Sequence, residues 1–387
     1  MKRFLAIAAA MLVGAVVPGH SQSLDELNVQ IHGYATQGFL YTTNNNIFTT
    51  KSSDGSPSWD EGVVNISAQP VQKLRVAVQG RYFVLGNFGN KITVDYAMAD
   101  YKANDHFGVR FGKVKTPSGL FNETQDIDPS YVWALLPQSI YPISSRNSLL
   151  SHFGGVAYGS FALGNKLGKI EYRGFAGQRT LSSDDGYFVN QTEAGILLPN
   201  GTHQNMVGGA IHWKTPISGL MIGVSDIKNM KSADTVTIGN GALSGTQALN
   251  AFNLPNYFAQ YEKNKYMFAA EWDRIPVSGS LVVQPVLNQP IRLDLRAWYV
   301  MGSYKVTDKL SAGLYHGEYF DRKATLGAAR YQKDWAIAAR YDFSQFIYAK
   351  AEQHFMDGTA IGYDTNLNTG GLKPTTKMTV LKMGVNF

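Results

Sequence analysis

Apolar and polar residues alternate with a period of two along most of the sequence, and this pattern constrains the fold more than any other feature. Residues 74–84 read LRVAVQGRYFV, and residues 265–274 and 291–304 alternate in the same way. A period of two places successive side chains on opposite faces of an extended strand, whereas a helix needs a period near 3.6. The sequence therefore predicts a protein built mostly of strands that have one apolar and one polar face.

About 16 such segments follow one another, and every second connection between them is short. The predicted strands are 29–41, 60–69, 74–84, 91–101, 107–115, 153–163, 168–178, 204–214, 219–229, 256–262, 265–274, 291–304, 309–320, 331–342, 346–355 and 376–387. The remaining connections are long and polar, notably 42–59, 179–203, 230–255 and 356–375. Tight turns at one end and long loops at the other are typical of bacterial membrane barrels. We therefore predict an all-β fold, a closed antiparallel transmembrane β-barrel.

The last ten residues, MTVLKMGVNF, also fit a closed barrel. Lipid offers no hydrogen-bond partner to an open sheet edge, so the last strand must pair with the first. In that strand the side chains expected to face lipid are Leu381, Met383, Val385 and Phe387, and those expected to face inward are Lys382 and Asn386. Proline cannot donate to a strand ladder, and all prolines fall outside the predicted strands.

The first 23 residues have the pattern of a secretory signal peptide. Lys2 and Arg3 precede an apolar stretch over 4–17, and Pro18 and several small residues follow it. We therefore expect residues 1–23 to be removed and residues 24–387 to form a single barrel domain outside the cytoplasm. The chain has no cysteine, so its stability must come from hydrogen bonding and packing rather than disulfides.

The charge of the chain argues against a nucleic-acid partner. The formal net charge is +6 at pH 7, and loss of the signal peptide would reduce it by two. Nucleic-acid binding usually needs clustered basic runs, which a mild excess of this kind does not provide.

The third long connection, 112–152, is unusually apolar for an exposed loop. It contains five consecutive residues of this type, Val132, Trp133, Ala134, Leu135 and Leu136. Folding into the barrel lumen would shield these side chains and narrow the passage. We therefore expect a constriction loop inside the barrel.

The segment RFGKVKTPSGLFNETQDID, followed by LLPQSIY, resembles the bacterial outer-membrane porins of the phosphate-selective (O/P-like) superfamily. The C-terminal phenylalanine is similar to the assembly signal of outer-membrane proteins. The resemblance implies a passive diffusion channel in the bacterial outer membrane, a homotrimer in contact with the bilayer and lipopolysaccharide, and no cofactor. The solutes would be small and hydrophilic or anionic.

Charged residues with inward parity are the candidate pore lining. Six arginines oppose apolar positions on the predicted strands, and three carboxylates lie on the long third loop: Arg75, Arg81, Arg110, Arg173, Arg296 and Arg340, with Glu123, Asp126 and Asp128. A basic wall facing an acidic loop would create a transverse field and a weak anion preference. The other interpretation is that many of these arginines are paired within a polar lumen, because several carboxylates share their parity: Glu171, Glu271, Asp273 and Asp294.

Two other classes of protein remain open from the sequence. A barrel whose external loops bind a partner would act as a receptor or adhesin with little conductance. An outer-membrane hydrolase would need a nucleophile and a base, but the sequence contains no G-x-S-x-G, H-E-x-x-H or P-loop motif. We expect no catalytic residues and no metal site.

Overall fold

The computed structural model describes residues 27–183, 185–324 and 327–387, without the side chains of residues 189 and 190. The predicted signal peptide therefore lies outside the described residues. Within them, eighteen strands are numbered β1 to β18 in chain order: Gln30–Thr42, Ser56–Val71, Leu74–Leu85, Phe88–Lys102, Gly108–Lys115, Ser151–Ala162, Lys169–Leu181, Thr202–Lys214, Leu220–Asn229, Ser232–Ile238, Leu243–Leu249, Phe252–Lys263, Tyr266–Val283, Leu287–Lys305, Leu310–Asp321, Tyr331–Asp342, Ile347–Gly358 and Thr375–Asn386.

Sixteen of these strands form a closed antiparallel barrel, as predicted. Each strand pairs with its neighbours in sequence, and β18 returns to pair with β1 from Tyr34 opposite Asn386 to Thr42 opposite Met378. The backbone amide of Gly33 donates to the carbonyl oxygen of Phe387, and the amide of Phe387 donates back to Gly33. Closure leaves the sheet without a free first or last edge.

The two additional strands lie in the connection 230–255, where the sequence predicts a long loop. β10 and β11 form a hairpin, while β9 pairs directly with β12 within the barrel. The hairpin turns at Gly239, Asn240 and Gly241, all with positive φ, a conformation that glycine and asparagine adopt most easily. β11 then pairs with the far end of β13, which extends beyond the predicted strand to Val283.

Helical segments are short and confined to the connections. They are the 3₁₀ turns Ser52–Asp54, Asp128–Ser130, Ile143–Ser145, Gly186–Phe188 and Ala328–Arg330, and the α-helical turns Arg146–Leu149 and Val189–Glu193. Among the described residues, no helix is long and apolar enough to cross a membrane.

The two ends of the barrel differ as the sequence predicted. One end, which we call the turn end, carries tight turns such as 72–73 and 264–265, together with the start of β1 and the end of β18. The other, the loop end, carries the connections 43–55, 182–201 and 359–374. Two connections at the loop end are nevertheless short: 86–87 and 284–286.

The outer face of the barrel is apolar, as the parity of the last strand predicted. Leu381, Met383 and Val385 are 49%, 52% and 45% exposed, whereas Lys382 between them is only 3% exposed and points into the barrel. An apolar outer face with a polar interior is the reverse of a water-soluble β-sandwich and is typical of transmembrane barrels.

Closure of the barrel at Gly33 gives a first prediction. A Cβ at Gly33 would lie 2.5 Å from the Val63 carbonyl oxygen and 2.6 Å from the Phe387 ring, so Gly33→Val should destabilise the barrel by about 1–3 kcal/mol. The measurement is the urea dependence of unfolding in detergent micelles. Gly62→Val is the matched control, because a Cβ at Gly62 meets nothing within 4 Å. Equal stability of the two variants would contradict the proposed packing at the closing seam.

Candidate functional site: the inner loop and the luminal wall

Residues 116–150, which we call the inner loop, leave β5 at Lys115, enter the lumen and rejoin the wall at Ser151. The apolar side chains at its tip are buried, with Trp133 only 2% and Leu135 only 1% exposed. Trp133 packs against Gly313 of β15, where a Cβ would lie 2.8 Å from the indole. The expectation that the long third loop folds into the lumen is therefore confirmed.

Asp128 anchors the inner loop to β17 and β18 through two buried cations. Its carboxylate lies 2.6 Å from the Lys382 ammonium and 3.1 Å from the Lys350 ammonium, and the Tyr348 hydroxyl donates to it at 2.7 Å. Both lysine side chains are at most 1% exposed. Burial alone would raise the pKa of Asp128, but Lys350 and Lys382 outweigh it and hold the pKa below its ordinary value. The aspartate is thus ionised and paired.

Glu123 joins the inner loop to the opposite side of the lumen. Its carboxylate lies 3.2 Å from Arg110 of β5 and 3.1 Å from Arg173 of β7. Arg110 also pairs with Asp100 at 3.1 Å. All four side chains keep between 15% and 25% of their surface exposed, so this cluster borders solvent inside the barrel.

Asp126 is also paired with the wall. Lys115 of β5 lies 2.7 Å from its carboxylate, and the Gln79 amide of β3 donates to it at 2.6 Å. The three loop carboxylates therefore contact basic wall residues directly, and no water-filled gap separates the acidic loop from the basic side chains it pairs with. Because the opposite charges are in contact, these pairs weaken the predicted electric field across the lumen.

Arg81 occupies a buried position behind the inner loop. Its guanidinium lies 2.6 Å from Glu61, and the two side chains are 1% and 6% exposed. It also donates to Asn147 of the inner loop at 3.0 Å. Nearby, Arg146 of the loop pairs with Asp95 of β4 at 2.8 Å. Arg81 therefore faces the lumen, as its parity predicted, but it holds the loop rather than meeting free solvent.

Arg340 and Arg75 also have the predicted inward orientation. The Arg340 guanidinium donates to the carbonyl oxygens of Pro129 and Tyr131 in the inner loop, the latter at 3.1 Å, and pairs with Asp342 at 2.7 Å. Arg75 shares the luminal face of β3 with Gln79 and remains exposed near the turn end.

The inward orientation expected for Arg296 is wrong. On β14 the luminal face carries Tyr299 and Met301, which are 0% and 4% exposed and pack on the inner loop cluster. Val300, 48% exposed, lies on the outer face, and Arg296 shares that face. There it pairs with Asp294 at 3.3 Å. The parity was misread because the apolar face of β14 packs on the inner loop, whereas the outer face carries Arg296 and Asp294 toward the loop end.

Glu271 of β13 fixes the start of the inner loop through hydrogen bonds from neutral donors. Its carboxylate accepts hydrogen bonds from the hydroxyls of Tyr141 and Tyr299 at 2.7 and 2.8 Å, and from the Asn256 amide at 2.7 Å. The backbone amide of Leu120 donates at 3.2 Å. Four neutral donors thus satisfy a carboxylate that is 3% exposed.

Glu352 of β17 holds the apolar tip of the loop. It accepts hydrogen bonds from the backbone amides of Ala134 and Leu135, at 2.5 and 3.3 Å. His354 lies between Glu352 and Asp334, at 3.1 and 2.9 Å from their carboxylates. These three residues were not predicted, because nothing local in the sequence shows that a loop 217 to 218 residues away will bring amides to this strand.

Open space remains beside the Glu123 cluster. A cavity of about 470 Å³ opens toward the turn end and is lined by residues of both signs, including Lys102, Asp105, His106, Arg110, Glu171 and Arg173. The site therefore includes a polar recess of the wall beside Arg110 and Arg173, the two arginines that pair with Glu123 of the inner loop.

Comparisons with known proteins agree with this architecture. No protein-family model matches the sequence, and no curated protein sequence does. Among solved structures, the chain is similar to the outer-membrane channel DcaP of Acinetobacter baumannii, with a TM-score of 0.57, 11% identity and coverage of 95% of this chain and 100% of that one. It is equally similar to OmpF of Salmonella typhi in complex with daunomycin, with a TM-score of 0.57, 13% identity and the same coverage.

OmpT of Vibrio cholerae, an outer-membrane protein, also matches, with a TM-score of 0.56 and 13% identity over 93% of this chain and 97% of that one. At these identities the likeness establishes the fold, a porin-like closed barrel of 16 strands with a hairpin inserted between β9 and β12.

The buried pairs of Asp128 generate a second prediction. Asp128→Asn would leave the buried Lys350 ammonium without its counter-charge and Lys382 with only Glu61, 3.4 Å away, which should lower the free energy of unfolding by about 3–5 kcal/mol or release the loop from β17 and β18. Urea unfolding and limited proteolysis of the folded barrel measure these two outcomes. Asp105→Asn, which removes an exposed pair with Lys102, is the control and should change neither. Unchanged stability and unchanged protease resistance of Asp128→Asn would show that Asp128 does not anchor the loop.

Proposed function

We propose that the protein is a passive diffusion channel for small hydrophilic solutes in the bacterial outer membrane. The observation that carries this proposal is the inner loop: a closed barrel with an apolar exterior holds within its lumen a loop whose apolar tip is buried and whose carboxylates are ion-paired, beside open space lined by charged residues. A barrel with such an exterior requires a bilayer. A loop that narrows the lumen and places charged side chains along it suits size-limited diffusion of polar solutes.

The turn end would face the periplasm and the loop end the exterior, since short periplasmic turns and longer outer loops are typical of such barrels. We propose that residues 1–23 direct export, that residues 24–387 form one barrel domain, and that the segment 112–152 provides the constriction. Membership of the phosphate-selective porin superfamily, assembly as a homotrimer and contact with lipopolysaccharide belong to the same proposal, and rest on the sequence resemblance and the porin-like fold.

For selectivity we propose a weak preference for anions. Of the predicted arginines that face the lumen, Arg75, Arg110 and Arg173 have the most solvent access, and the last two share one carboxylate, Glu123. Asp100 offsets part of this charge, so the preference should be small. Arg81 and Arg340 hold the inner loop, so they affect ion selectivity chiefly by fixing the position of that loop. No observation specifically favours the receptor or the hydrolase interpretation, and we propose no catalytic role for any residue.

Single-channel recording in planar bilayers tests the proposed function. Purified protein should produce discrete conductance steps, and in a salt gradient the reversal potential should indicate a weak anion preference. Absence of steps from correctly folded protein would reject the channel and favour a receptor. A clear cation preference would reject the proposed selectivity and leave the channel intact.

A matched pair of arginine variants gives the third prediction. Arg110→Gln should shift the reversal potential toward cations, because it removes a luminal cation and leaves Glu123 and Asp100 less compensated. Arg296→Gln should not shift it, because Arg296 lies on the outer face. Equal shifts in both variants, or no shift in Arg110→Gln, would show that Arg110 does not line the conducting path.

A further inference from the structure

Four arginines lie on the outer face of the barrel toward the loop end of β13, β14 and β15. Arg274 of β13 is directly opposite Arg296 of β14 in the ladder, so both side chains are on the outer face. Arg292 lies farther along the same face of β14 and is exposed. Arg322, also exposed, follows β15, and its backbone amide donates to the carbonyl oxygen of Asp294 at 3.1 Å. We call these four arginines the outer arginine cluster.

The negative charge beside these arginines is too small to neutralise them. The Asp294 carboxylate lies 2.6 Å from Arg274 and 3.3 Å from Arg296, so two guanidinium groups share one negative charge. Like charges directly opposite each other in a ladder are destabilising, and one carboxylate offsets only part of this repulsion. Glu318 is the other outward carboxylate of the fully described strands β13 to β15, and it pairs with His316 at 3.2 Å. The Arg296 Nε atom is buried and has no hydrogen-bond partner among the described residues.

A row of aromatic rings crosses the outer face next to the cluster, on the side toward the turn end. The row runs over β12 to β16 and consists of Tyr257, Trp272, Trp298, His316 and Trp335. Girdles of aromatic residues flank the apolar band of transmembrane barrels, at the boundary with the lipid head groups. Arg274 and Arg296 each lie two residues beyond a tryptophan of this row, which is about 7 Å along a strand. The cluster therefore lies at the level of head groups rather than of hydrocarbon.

We propose that the outer arginine cluster binds the phosphate groups of a phosphorylated glycolipid of the outer leaflet, the lipid A part of lipopolysaccharide. This inference rests on the proposed outer-membrane location and on the proposed exterior position of the loop end. A guanidinium group donates two parallel N–H bonds to phosphate oxygens, and a phosphate beside Arg274 and Arg296 would supply the counter-charge that Asp294 alone does not. The adjacent aromatic row favours a membrane head group over a free anion, because such rows lie where head groups begin.

The test measures lipid binding by native mass spectrometry of the full-length mature protein released from detergent. The probes are bisphosphorylated lipid A, monophosphorylated lipid A and phosphatidylglycerol. The first variant combines Arg274→Gln, Arg296→Gln and Arg322→Gln. Its matched control combines Lys51→Gln, Lys373→Gln and Lys377→Gln, which removes three exposed cations at the loop end away from β13 to β15. The second variant is Arg322→Gln alone, with Lys377→Gln alone as its control.

The wild-type protein and both controls should bind bisphosphorylated lipid A more tightly than the monophosphorylated form, because each phosphate adds a partner for the arginines. The first variant should bind bisphosphorylated lipid A at least tenfold more weakly, and Arg322→Gln about fivefold more weakly. Equal affinity of the first variant and its control would overturn the proposal. If the first variant does not fold, equal affinity of Arg322→Gln and Lys377→Gln would overturn it.

Two further results would assign the cluster to another occupant. Binding of phosphatidylglycerol as tight as that of lipid A, with the same loss in the first variant, would reject the glycolipid in favour of anionic phospholipids in general. Loss of an oligomer in the first variant, without loss of lipid, would assign the cluster to a contact between subunits and overturn the proposal.

The same preparations distinguish this inference from the proposed function. Every substituted residue lies on the outer face or in a connection at the loop end, so all variants should conduct like the wild-type protein. Conductance together with unchanged lipid A affinity in the first variant would reject the lipid site alone. Selective lipid A binding without conductance would reject the channel alone.

Discussion

Every feature of this protein depends on the need to satisfy the backbone N–H and C=O groups of a long sheet. A strand edge in hydrocarbon has no hydrogen-bond partner, so the sheet is stable there only if its last strand returns to its first. The register between β1 and β18 provides that closure over nine residue pairs. Closure creates an interior that is separated from the surroundings, and the apolar tip of the inner loop is buried in that interior.

The buried charges of the lumen specify where the inner loop lies more than they add to overall stability. A buried ion pair gains little net free energy over an apolar pair, but removal of one partner is costly. The inner loop has three carboxylates that pair with cations of the wall. Asp128 pairs with β17 and β18, whereas Glu123 pairs with β5 and β7 and Asp126 pairs with β5. The loop is therefore held from opposite sides across the lumen. The charges left accessible to solvent are few and mixed, which is why selectivity is expected to be weak.

The sequence predicted the barrel well because a period of two is a local property. All sixteen wall strands lie where the alternation indicated, although β13 and β14 continue past Pro276 and Pro290, which had suggested strand ends. The β10–β11 hairpin was missed because its alternation is carried by threonine, serine and alanine rather than large apolar residues. Extra strands of this kind form by pairing with the extended β13, which is a tertiary effect.

Orientation and partners were harder to predict than strands. Arg296 was misplaced because the apolar residues that alternate with it on β14, such as Tyr299, pack against the inner loop rather than against lipid. Arg146, Lys350 and Glu352 were not selected, since their partners lie up to about two hundred residues away and depend on the path of the loop. The parity of Arg81, Arg110, Arg173 and Arg340 was correct, but their carboxylate or carbonyl partners could be identified only in the folded chain.

The position of the inner loop is the central claim, and a disulfide tests it most directly. The chain has no cysteine, so Ser139→Cys with Gly317→Cys introduces a single pair. A Cβ at Gly317 would lie 3.0 Å from the Ser139 Oγ, close to the separation of about 3 Å between a Cβ and the farther sulfur of a disulfide. The two cysteines should therefore cross-link in the membrane-inserted barrel, as peptide mass spectrometry would detect. Two free thiols in the folded protein, both reactive toward a water-soluble maleimide, would place the loop outside the lumen and contradict the account.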